Sequence, residues 1–152
     1  MLESYNCLRL DNGYVFQVGV YNDNDNKKFF KIDGDKIPFE KLKVGQLAEL
    51  ISHKGKFGAS VILNLWIIDV DKSKLNHSST KDNINELGGK SMEFESKFTK
   101  YLHNYKFAEE ENINIVAAIA IITASKCLPM FYLLNKKFAV TKYRFGLISF
   151  LR

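Results

Sequence analysis

The chain has 152 residues, of which 46% are hydrophobic and 26% charged. That suffices for one ordinary domain, or a small domain with an appendage, and excludes wholesale disorder. Its two cysteines, Cys7 and Cys127, are too few and too far apart for a disulfide scaffold or a zinc knuckle.

The net charge of +5 is unevenly placed. Residues 1–72 hold ten Lys/Arg and ten Asp/Glu, residues 73–112 six and seven, and residues 113–152 six and none. The basic excess therefore lies in the most apolar part of the chain. A greasy, anionic partner such as a cytoplasmic membrane face suits that combination. The opening Met1-Leu2-Glu3-Ser4 has neither a basic region nor an apolar run, so a reducing, cytoplasmic setting is expected for the N-terminal part.

In chain order, Tyr14, Phe16, Val18 and Val20 alternate with Val15, Gln17 and Gly19, which is strand period. The Asn/Asp run over residues 22–26 is a loop, and residues 27–32 resume extended character. Asp33-Gly34-Asp35 is turn chemistry. Residues 44–51 read as a fourth strand and residues 58–68 as a fifth, which predicts a small Greek-key barrel. Residues 73–91, rich in Ser, Asn and Gly, read as a linker. The expected division is a barrel over 1–72, a linker over 73–91 and a helical, hydrophobic and basic domain over 92–152.

From Met92 the period changes. Phe94, Phe98, Tyr101, Leu102 and Tyr105 fall at helical spacing. Residues 113–134 follow as an apolar run of 22, about 33 Å long as a helix and enough for a hydrocarbon core of about 30 Å. Ile115, Ile119, Ile122, Phe131 and Leu134 are its membrane-facing candidates, with attachment to the inner membrane expected through this run. Against a span stand Lys126, at about 2.5–3.5 kcal/mol near a helix centre, and Pro129, which kinks a helix. The other possibility is a buried globular core.

The order and spacing of Asn12-Gly13-Tyr14-Val15-Phe16, Phe29-Phe30-Lys31-Ile32, Leu42-Lys43-Val44-Gly45-Gln46 and Gly58-Ala59-Ser60-Val61 resemble the cold-shock domain, a five-stranded OB barrel. The likeness covers about residues 5–65. The family's stacking Trp falls at Cys7, its motif Lys at Asn12 and its motif His at Lys31. The resemblance implies that Tyr14, Phe16 and Phe29 stack the bases of single-stranded DNA or RNA, at about 1–3 kcal/mol per base. It gives phosphate contacts to Lys27, Lys28, Lys31, Lys54 and Lys56.

Leu134-Asn135-Lys136-Lys137-Phe138-Ala139 and Lys142-Tyr143-Arg144 resemble the junction in bacterial proteins that fuse a cold-shock domain to a membrane domain. Cold-shock-like accessory proteins of this kind occur with bacterial retrons, which implies a toxin-like effector restrained by a nucleic acid or a reverse transcriptase.

No catalytic constellation is recognisable. Asp23-x-Asp25-x-Lys27 begins like a calcium loop but has Lys at position five, and His53, His77 and His103 are isolated. No enzyme, metal or cofactor is expected. The alternative to nucleic-acid binding is a protein-interaction adaptor, since a barrel segment of zero net charge lacks a basic footprint.

Overall fold

The computed structural model describes residues 3–104 and 111–120. In β2 (Tyr14–Asn22), Phe16, Val18 and Val20 are buried while Val15 and Gln17 are exposed, the outcome that alternation dictates for a sheet with a core on one side. It pairs antiparallel with β1 (Glu3–Arg9), Cys7 facing Phe16 and Tyr5 facing Val18. On its other side lies β3 (Lys28–Ile32), with Tyr21 facing Phe29. A two-residue turn, Asp33-Gly34, leads into β4 (Asp35–Pro38). Both turn residues have positive φ, 48° and 92°, the combination that lets a two-residue loop follow the twist of its strands. It sets Lys31 opposite Lys36.

Residues 44–51 form no strand. They belong to α1 (Val44–Lys54), whose buried Val44, Leu47, Ala48, Leu50 and Ile51 recur at helical intervals. The Lys43 N–H donates to Gln46 Oε1 at 3.1 Å and closes the first turn. A short apolar run carries both periods ambiguously, and packing against β2, β3 and β5 (Leu63–Asp71) decides for the helix. The expected strand over 58–68 accordingly starts later, at Leu63.

The described part is mainly β, as expected, but the five-stranded barrel within 1–72 gives way to an open seven-stranded sheet. Its order is β4-β3-β2-β1-β7-β5-β6, with β6 at Lys90–Ser91 and β7 at Asn112–Ile119. Strand β7 lies parallel to β1, Cys7 facing Ile115, and antiparallel to β5, Ile67 facing Ile115. By their contacts, residues 1–120 group in one compact unit that includes β7.

The supposed linker 73–91 is structured. Thr80 and Asn83 form a capping box for α2 (Lys81–Glu86), and Leu75 and Ile84 are buried. Polar, turn-forming residues there supply caps rather than slack. Of the expected aromatic helix, Phe98–Asn104 forms a 3-10 turn with Phe98 fully buried, and Phe94 is exposed. Tyr105 lies outside the described residues.

The start of the expected membrane helix is corrected as well. Residues 113–119 belong to β7, with Ile115 fully buried and Ile119 40% exposed. This run is rich in β-branched residues, and a strand buried on both faces is as continuously apolar as a membrane helix. Ile122, Phe131 and Leu134 lie outside the described residues. Among the described residues no helix is long and apolar enough to cross a membrane.

Two cores result. On the inner face Tyr5, Cys7, Phe16, Val18, Val20 and Phe30 pack with Leu47, Ile51 and Phe98. Phe98 meets Tyr5 and Phe30 edge-on, at 5.4 and 6.3 Å between centroids, a favoured aromatic geometry. On the outer face of β1, β7 and β5, Leu8, Trp66, Ile68 and Val116 pack with Leu75 and Ile84. At the border, Asn114 Oδ1 accepts from the Asn6 N–H at 2.9 Å, and a side chain replaces a sheet hydrogen bond.

Candidate nucleic-acid interface

Odd-numbered side chains of β2 and β3 point away from the inner core. Tyr21 and Phe29, paired across these strands, stack with centroids 5.8 Å apart and planes 26° from parallel. Lys31 Nζ lies 4.5 Å from the Tyr21 ring centroid, and Lys36 Nζ 5.0 Å from that of Phe29. Both lysines are exposed. They face each other on adjacent strands, an arrangement that repels by about 0.2–1 kcal/mol. Among the described residues neither makes an ion pair. Phe29 is only 7% exposed, so the two cations offer an anion a place beside one accessible ring, that of Tyr21.

Of the residues expected to form one platform, Phe29 and Lys31 lie here. Lys27 precedes β3 and Lys28, even-numbered, is on the opposite face, and each has a carboxylate: Lys27 pairs with Asp25 at 3.8 Å and Lys28 with Glu3 at 2.8 Å. Phe16 is on the opposite face, 8% exposed and part of the inner core. It closes on Gly55 so tightly that an added Cβ there would lie 2.8 Å from its ring. Tyr14, 45% exposed, stacks on Phe16 at 5.8 Å. Lys54 ends α1 and Lys56 follows it, so these two belong with Tyr14 and Phe16, away from Phe29.

Tyr21 and Lys36 were not anticipated. The signal for Lys36 is the Asp33-Gly34 turn: a two-residue hairpin pairs residue 31 with residue 36. Tyr21 continues the alternation on the side opposite Phe16.

Arg9 organises the second patch. Its Nε and Nη2 donate to the two Asp11 oxygens at 2.6 and 2.7 Å, and its Nη1 donates to the carbonyls of Gly55 and Lys56 at 3.0 and 2.7 Å. The guanidinium covers the Phe57 ring at 4.2 Å. Lys56 is thereby held at a φ of 54°, an uncommon state for a side chain of its kind.

The hydrogen bond from Arg9 holds the Asp11 carboxyl below the ordinary aspartate range. A folded value below the unfolded one means the pair stabilises the fold fully above that range. The contribution is lost as pH falls through the lowered value. Asp11→Asn is therefore expected to reduce the drop in melting temperature between neutral pH and about pH 3. An unaltered acid slope would show that the pair contributes nothing.

Burial pushes the Cys7 thiol up, which leaves it an inert core residue at neutral pH. Among the described residues no group of three His, Cys, Asp or Glu side chains could hold a metal ion. A cleft of about 760 Å³ runs beside α1, lined by Ile32, Ala48, Phe57, Val61, Ile62 and Phe94. Comparison with known proteins returns no matching family model, no matching curated protein and no matching solved structure.

Proposed function

We propose that this chain is a non-enzymatic protein that binds single-stranded nucleic acid on the outer face of β2, β3 and β4. The observation that carries the proposal is the Lys31–Lys36 pair laid over the stacked Tyr21 and Phe29 rings. A base stacks on an aromatic face irrespective of its identity, and its phosphate takes the place between the lysines. What is shared with cold-shock proteins in this reading is an aromatic sheet face with cations beside it. Membrane attachment, as part of the same proposal, rests on residues 121–152, with six basic residues and no acidic one. In the broader role proposed, a bound strand, or a reverse transcriptase carrying one, restrains a membrane-active effector.

Fluorescence anisotropy with a labelled single strand tests the interface. Tyr21→Ala should weaken binding about tenfold. The double change Lys31→Ala and Lys36→Ala should flatten the slope of log affinity against log salt by about 1.4, the value for two phosphate contacts on a single strand. Unchanged binding in both variants would remove the site from this face.

The cleft beside α1 favours a second reading, a protein-interaction adaptor, because Ile62 and Phe94 are exposed there at 54% and 41%. A protein partner held there would be lost with Ile62→Asp and kept with Tyr21→Ala.

A further inference from the structure

Gln17 precedes Tyr21 by four residues on β2, so both lie on the outer face, about 13 Å apart along the strand. Between them is Gly19, opposite Ser4. With no side chain at Gly19, the sheet is low at this point and a strand resting on Tyr21 can continue toward Gln17.

The Gln17 amide is exposed but its orientation is determined. The Asn112 carbonyl can only accept, so Asn6 turns Nδ2 toward it, at 2.9 Å. That leaves Asn6 Oδ1 facing Gln17, which must answer with Nε2, at 3.1 Å. The Asn112 side chain is itself tied to Asp69 Oδ1 at 3.0 Å. A backbone carbonyl in β7 thus determines which atom Gln17 leaves for a ligand. That atom is the acceptor, Oε1.

We propose that Gln17 reads a base neighbouring the one stacked on Tyr21 and favours bases that carry an amino group over uracil and thymine. The inference rests on the nucleic-acid reading above. Adenine, cytosine and guanine offer amino hydrogens to an acceptor. Uracil and thymine offer one N–H between two carbonyl oxygens, whose partial charges repel Oε1. A side chain tied at Nε2 has little freedom to turn and accommodate them.

The test compares oligo(dA), oligo(dC) and oligo(dT) of about twelve nucleotides on the full chain and on Gln17→Leu, with melting temperature as the check on folding. The wild type should bind oligo(dA) and oligo(dC) about tenfold tighter than oligo(dT). Gln17→Leu should lose most of that ratio while its affinity for oligo(dT) stays close to that of the wild type. Tyr21→Ala should weaken all three together. Equal wild-type binding, a preference for oligo(dT), or a ratio retained in Gln17→Leu would overturn the role of Gln17 and leave the interface in place. Failure of the wild type to bind any of the three would overturn the interface itself, and the inference with it.

Discussion

A fragment ending at residue 111 is expected to show no cooperative unfolding transition, whereas one ending at Ala120 should melt as a unit. Strand β7 lies between β1 and β5 and hydrogen-bonds to both. It buries Ile113 and Val116 in one core and Ile115 and Ala117 in the other. Its three buried β-branched side chains, Ile113, Ile115 and Val116, contribute about 1.5–3 kcal/mol each, a sum comparable with the whole stability of a domain, about 5–15 kcal/mol. Removal also leaves the facing edges of β1 and β5 unpaired. Circular dichroism melts of the two fragments decide it. A folded 1–111, or a folded 1–72, would show that the sheet forms without β7.

The second large effect is expected at Phe16. Its resemblance-derived role is to stack a base, and in that role Phe16→Ala would weaken binding and spare the fold. Its position in the inner core, against Gly55 and beside Phe57, implies the reverse. Truncation should cost about 3–5 kcal/mol, read as a lower denaturant midpoint, while the folded fraction binds single strands as the wild type does. Stability within about 0.5 kcal/mol of wild type would return Phe16 to the surface and the platform to that face. The contrast with Tyr21→Ala, expected to weaken binding far more than folding, separates the two faces of β2.

The residues expected to form one platform fall on two faces for a reason internal to β structure. Period-2 alternation assigns a side within one strand, and it correctly put Phe16, Val18 and Val20 together. It does not relate one strand to the next. That relation comes from register: Tyr21 opposite Phe29 and Lys31 opposite Lys36. A shift of one residue would exchange the faces of a whole strand. Phe16 and Phe29 each looked like part of an aromatic surface. The register put Phe16 in the inner core and Phe29, itself buried, on the other face beside Tyr21 and two exposed lysines.

By itself the sequence determined strand β2, through alternation, the extended character of β3, and the Asp33-Gly34 turn, through its turn-forming residues. It also determined the segregation of charge, with residues 113–152 holding six basic residues and no acidic one. Only the tertiary structure decided that residues 44–54 are helical and that residues 112–119 are a strand. Both segments are short and apolar, and in such segments local preference is weaker than the burial available in either conformation. For residues 44–54 the winning conformation packs α1 on β2, β3 and β5. For residues 112–119 it is a position between two strands some fifty and one hundred residues earlier in the chain, a partnership that no local pattern encodes.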